Sequence, residues 1–321
     1  MAGSKRMSAW IALALVAAGA SWAQEYPNKP VRVIFPFAAG GAGDIIARAY
    51  GQKFTEKFGQ SWVLDNRGGA GSTIGTDIAA KAVPDGYTLF QANMTLCVSY
   101  AAYSKLPYDP VRDFAPITTT VNVISLLAVT PSLPVNSMQD LIAYAKARPG
   151  QLSYASAGNG STSHFSGELF KRMTGVEMMH VPYKGTGPAL PDLLAGRVQV
   201  IFEPMPTMLP HVLAGRMKAL GVTSIKRSAA TPEIPTLAEQ GLTGFDVVLW
   251  YGMLAPAGTP KAVVDRLHAA FVDFAASPDI KEKLSGIGAE PASMSQAEFG
   301  AMIKSDIARW KKVAQEAGIK L

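Results

Sequence analysis

The stretch "PFAAGGAGD", residues 36–44, decides the fold. It follows the apolar run "VRVIF" (31–35) and precedes a segment in which Ile46, Tyr50, Phe54 and Phe58 recur every four residues. The first pattern reads as a buried strand, predicted over 31–37, the second as a helix with one apolar stripe. A glycine-rich turn from strand to helix brings backbone N–H groups to the positive end of the helix, where anions dock. Outward from this unit the same order repeats. Strands are predicted over 61–65, 87–91, 125–130, 152–155, 178–182, 198–202, 217–222 and 247–254, with amphipathic helices between several of them. Phe165, Leu169 and Met173 give a second helical stripe, read as a core face. Ser137 with Asp140 predicts a capping box, and that helix stops at Pro149-Gly150. Thr259-Pro260 predicts N-cap and first turn for a helix presenting Val264, Leu267, Phe271 and Phe274; Ser295 with Glu298 opens the last helix, which Gly318 ends. Strand–helix alternation of this kind is an α/β architecture with largely parallel sheets.

At 321 residues and 48% hydrophobic content the chain is long enough for two domains with ordinary cores. One set of strand–helix units precedes about residue 120 and a second spans about 125–245, with no flexible linker between. β-rich runs near 121–130 and 246–254 are the natural crossings, and the C-terminal helices then return to the first domain. Residues 1–23 read as a cleaved export signal: Lys5 and Arg6, an apolar run from Ala9 to Ala20, then Ser21-Trp22-Ala23. That run is too short for a membrane span of about 20 residues, and no Cys follows it to carry a lipid. The domains are therefore 24–124 with 250–321, and 125–249. Without Lys5 and Arg6, 28 basic residues face 24 acidic ones, a net charge of +4. Charge this mild and scattered implies no nucleic-acid or membrane-surface binding. Cys97 is the single cysteine, so no disulfide within the chain and no cysteine metal site is possible. Its apolar neighbours mark it as a small buried hydrophobe. His164, His180, His211 and His268 show no ligand spacing, and neither metal nor cofactor is expected.

Polar, glycine-rich loops follow the predicted strands in both halves. They are "PFAAGGAGD", "DNRGGAGSTIG" (65–75), "QANMT" (91–95), "ASAGNGSTSH" (155–164) and "YKGTG" (183–187). In open α/β sheets ligands bind where such loops converge, and N–H groups with hydroxyls suit a carboxylate or phosphate. A nucleotide fits poorly. Gly41-Ala42-Gly43 begins a GxGxxG, but its third glycine position is Ile46, and no GxxxxGK[ST] occurs. A serine hydrolase fits no better: His164 lies near Ser161 and Ser163, yet there is no GxSxG. Asp44 is placed to cap the first helix.

The residues also carry a family likeness. "YPNKPVRVIFPFAAGGAGDIIAR" (26–48), "NRGGAGSTIGTDIAAKAVPDGYTL" (66–89), "YASAGNGSTSHFSGELF" (154–170), "VPYKGTGPALPDLLAGRVQVIF" (181–202) and "WYGMLAPAGTPKAVVDRL" (250–267) occur in order over nearly the whole chain beyond the signal. The chain thus resembles the Bordetella uptake gene family, the substrate-binding proteins of tripartite tricarboxylate transporters. The resemblance implies a two-domain periplasmic binding protein of the Venus-flytrap kind, type II-like, with its ligand cleft between the domains. It also implies a monomer without catalysis that closes on a small carboxylate and presents it to integral-membrane permease subunits. Carried over, the first-domain ligand contacts are Phe37, Ala38, Ala39, Gly41, Ser72, Thr73 and Asn93, with Asp44 as the loop acid. The second-domain contacts are Ser156, Asn159, Gly160, Ser161 and Thr162, with His164 nearby. Glu203, in "IFEPMP" (201–206), stands where Asp is usual. It either faces the far end of the ligand or caps the next segment. Two rival readings remain at this point: an exported ligand-sensing protein, and an exported enzyme acting on a small acid.

Overall fold

Five buried or half-buried residues, Val31–Phe35, form strand β1 at the centre of three parallel strands. The computed structural model describes residues 26–319; the signal at 1–23 lies outside them. On one side β1 pairs in parallel with β2 (Trp62–Asn66), on the other with β3 (Thr88–Asn93). Helices α1 (Ala42–Phe58) and α2 (Thr73–Ala80) connect them, and α3 (Thr95–Ala102) follows β3. In the second half β5 (Leu152–Ser156), β6 (Met178–Pro182) and β7 (Val200–Pro204) are again parallel. Helices α4 (Met138–Lys146), α5 (Thr162–Thr174), α6 (Thr186–Leu194) and α7 (Met205–Leu213) accompany them, with β8 (Lys218–Val222) at the end.

The halves share one strand. β4 runs over sixteen residues, Phe114–Val129, where a strand over 125–130 was predicted. Its first part pairs antiparallel with β9 (Val248–Pro256), and Ser125–Val129 pair with β7. The β-branched run "ITTTVNVI" makes the longer strand physically reasonable. Pro116 falls beside a register shift between Pro116 and Thr118, the kind of irregularity that accommodates proline in a sheet. A return crossing runs alongside, with Val247 N donating to Thr223 O at 2.9 Å.

Helices α8 (Lys261–Ala276), α9 (Pro278–Ser285) and α10 (Gln296–Ala317) come back to the first half. There the Trp250 indole donates to Asp306 at 2.7 Å, and the fully buried Cys97 thiol faces Ile303 O. Both predicted capping boxes, Ser137/Asp140 and Ser295/Glu298, form, and Gly318 ends α10 in the left-handed conformation. Two local expectations fail. The Thr259 hydroxyl donates to Pro256 O, so it does not cap α8, whose N-cap is Pro260. Of the predicted stripe Phe165 is buried and Leu169 packs against the core, but Met173 is exposed, and Phe170, three residues before it, takes the buried place. Among the described residues no helix is long and apolar enough to cross a membrane, and no cluster of His, Cys, Asp and Glu could hold a metal.

Candidate functional site

A partly open cavity of about 40 Å³ lies where the two halves meet. Five helix N-termini reach its wall. Gly41, Ala42 and Gly43 open α1, Thr95 opens α3, Ser161–Ser163 open α5, Thr186 opens α6 and Pro204 precedes α7. First-turn N–H groups have no partner within their own helix. Each such end favours a nearby anion by about 0.3–1 kcal/mol, more when partly buried. Among the described residues no Lys, Arg or His lines the cavity, and the one carboxyl that does is Glu203.

Hydroxyls and amides complete the wall in a fixed arrangement. The Asn93 side-chain oxygen accepts from Thr95 N at 3.0 Å, holding the start of α3. Ser161 Oγ accepts from His164 N at 3.3 Å and so caps α5. Ser163 Oγ accepts from Ala157 N at 2.9 Å, closing the loop onto itself. Phe35, Phe37, Phe202, Leu249 and Tyr251 supply the apolar body.

Of the residues named from the sequence, Phe37, Ala38, Gly41, Asn93, Ser161, Thr162 and Glu203 line this cavity. The others serve it from behind or along its rim. Asp44 is not the N-cap of α1, which is Gly41. It occupies the third helical position, reaches back to Gly40 N at 3.4 Å and pairs with Arg48 at 3.0 Å. Ser156 Oγ accepts from Gly158 N at 3.1 Å and meets His180 Nε2 at 2.6 Å. His180 stacks on His164 with centroids 4.1 Å apart, and His164 Nδ1 accepts from Gly160 N at 3.2 Å. Burial lowers the pKa of both rings, that of His180 to about 4 with its stacked neighbour adding to the effect. Both are neutral near pH 7, as an accepting Nδ1 on His164 requires.

Ala39, Asn159 and Gly160 belong to a seam where the two halves touch, whereas the Ser72 and Thr73 hydroxyls face Tyr108 of the first half, beside that seam. Ala38 N donates to Lys184 O at 3.0 Å, the Thr95 and Thr162 hydroxyls meet at 2.8 Å, and Tyr103 OH donates to Asn159 O at 3.3 Å. The Ser99 hydroxyl lies between Gly71 O at 3.2 Å and Gly160 O at 3.1 Å, one from each half. A Cβ at Gly71 would overlap the Asn159 carbonyl, and one at Gly187 the Ala39 carbonyl. Ala70 and Ser72 flank Gly71 at φ 46° and 91°, strain that non-glycine residues rarely carry. The halves are thus closed on each other through backbone contacts that only glycine permits.

Thr95, Ser125, Thr186, Leu249 and Tyr251 line the cavity without having been named from the sequence. Thr186 sits in the glycine-rich "YKGTG", which did mark its loop. Ser125 and Tyr251 sit on the long strands β4 and β9, and nothing local marks them.

A model of the tripartite tricarboxylate transporter family receptor matches residues 46–319. The chain belongs to that family. The receptor is 37% identical over 314 residues to the protein BugT of Bordetella pertussis, covering 97% of this chain and 96% of that one. Among solved structures it is similar to Rpa4515 of R. palustris with adipate, at 40% identity and TM-score 0.90, covering 92% of this chain and 99% of that one. It is also similar to the periplasmic binding protein BugD (35%, TM-score 0.90, 92% and 99% covered). A third likeness is to MatC of Rhodopseudomonas palustris with bound malate (32%, TM-score 0.85, 90% and 99% covered). Family and fold are those of solute-binding receptors and not of enzymes.

Proposed function

We propose that this receptor captures a small carboxylate in the periplasm, within the cavity between its halves, and hands it to membrane permease subunits of a tripartite transporter. The observation that carries the ligand class is the convergence of five helix N-termini on one cavity without a basic side chain. Such a site holds a carboxylate by backbone N–H groups, hydroxyls and bridging water, needing no Arg clamp. The ligands named for Rpa4515 and MatC, adipate and malate, support the same class. The contacts proposed from the first half are Phe37, Ala38, Gly41 and Asn93, and from the second Ser161, Thr162 and Glu203. Asp44, Ser156 and His164 position these loops, Ala39, Asn159 and Gly160 act in the closing seam, and Ser72 and Thr73 support it from the first half. The domains proposed are 24–124 with 250–321, and 125–249, preceded by an export signal over 1–23. Hinge motion in β4 and the return crossing then opens and closes the cleft.

Calorimetric titration of the mature protein with adipate tests this, beside Thr162→Phe, whose ring fills the cavity from the start of α5. Wild type is expected to bind and Thr162→Phe to lose binding while keeping its melting temperature. Binding by the variant equal to wild type would remove the α5 loop from the site.

A further inference from the structure

Glu203 lies at the end of β7 with 2% of its surface exposed, on the cavity wall between the starts of α6 and α7. From α6 the Thr186 hydroxyl faces it, from α7 that of Thr207, and from β9 the Tyr251 phenol, its one titratable neighbour. The paired strand β4 brings Leu126 and Ser125. Asp44 of α1 is engaged with Arg48 and does not line the cavity. An acidic side chain is therefore the one carboxyl among the described residues lining a space that the helix ends prepare for an anion.

Two arrangements reconcile an acid with that space. Either Glu203 is ionised and meets a cationic group on the ligand, or it is neutral and donates its proton in a hydrogen bond. The helix ends decide between them. Five positive N-termini attract negative charge and oppose an ammonium in the same cavity. Burial also pushes the Glu203 carboxyl up to about 8, so it is protonated at neutral pH before any ligand arrives. An incoming carboxylate raises it further, since a second negative charge disfavours ionisation.

We propose that Glu203 is the specificity-determining residue of the cavity, acting as a neutral carboxylic acid that donates its O–H to a carboxylate oxygen of a dicarboxylate ligand. Capture is then coupled to one proton, and ligands carrying an ammonium in place of the second carboxylate are rejected. The inference rests on the carboxylate-receptor reading above. As pH rises past the free protein's carboxyl pKa, the proton must be taken up with the ligand, so affinity falls by up to about tenfold per pH unit.

The test is calorimetry of the mature protein with adipate, and with L-glutamate as the ammonium-bearing probe, from about pH 6 to about pH 9.5 in buffers of different ionisation enthalpy. The expected result for adipate is a dissociation constant nearly flat below about pH 7.5 and rising about tenfold or more by about pH 9.5, with proton uptake approaching one per ligand. For Glu203→Gln the ratio of alkaline to neutral dissociation constants should approach one. A flat wild-type profile with no proton uptake overturns the proposal while leaving carboxylate capture intact. So does tighter binding of L-glutamate than adipate that Glu203→Gln abolishes, because Glu203 would then be an ionised partner for a cation. If wild type binds no carboxylate at any pH, the receptor reading itself fails and this inference with it. Should Glu203→Gln not fold, the wild-type profile and its proton count decide alone.

Discussion

Ser161 shows how one residue prepares the site. Its hydroxyl caps α5 by accepting from His164 N, and the residue lines the cavity. Ser161→Ala is expected to lower stability by about 1 kcal/mol, as loss of an N-cap does, read as a fall in the denaturant midpoint with an unchanged slope. The stacked pair behind the loop gives a second expectation at this scale. His164 and His180 have pKa values depressed by burial, so their contribution to stability is present above the unfolded histidine value of about 6.5. It is lost as pH falls through about 4 for His180. Glu203, with its pKa raised, acts in the opposite sense and favours the folded state more as pH falls from about 8. The His180 effect is isolated by comparison: His180→Gln should lose less melting temperature between neutral pH and about pH 4.5 than wild type does. An equal loss would show that His180 is not a source of acid sensitivity. The sequence marked Ser161 and Glu203 through loop composition and an unusual acid, whereas the partnership of Ser156, His180 and His164 depends on β5 and β6 lying side by side. That pairing is not visible at residue spacing.

Loops and helix starts are the elements that make the cavity, and they were the most legible part of the chain. "PFAAGGAGD" and "ASAGNGSTSH" announced themselves by glycine and hydroxyl content, and both capping boxes formed at their predicted residues. The strands were less so. β4 extends eleven residues N-terminal of its predicted start at 125, because β-branched residues and a bulge sustain pairing past Pro116. Ser125 and Tyr251, which those long strands bring to the cavity, were therefore invisible beforehand. The seam of glycines yields its own prediction. Gly187→Ala places a Cβ against the Ala39 carbonyl and should hold the halves apart. Small-angle scattering of this variant at saturating ligand is expected to give a larger radius of gyration than ligand-bound wild type. An identical radius would show that closure tolerates the extra carbon.

The molecule as a whole couples two parallel-stranded halves through β4 and the return crossing, with the cavity at their junction. In the proposed function, closure would bury the ligand against both halves at once, making binding energy from one half conditional on the other. A bound ligand thus stabilises the closed, folded form, and in excess its effect depends only on concentration relative to affinity. The most direct measurement of the central claim is the melting temperature of the mature protein against a matched panel. The panel holds mono-, di- and tricarboxylates beside neutral sugars and nucleotides of similar size. A dicarboxylate at 100 times its dissociation constant should add about 2.7 kcal/mol, with no shift from the neutral compounds. A shift from sugars or nucleotides with none from any carboxylate would contradict capture of a carboxylate by the helix ends.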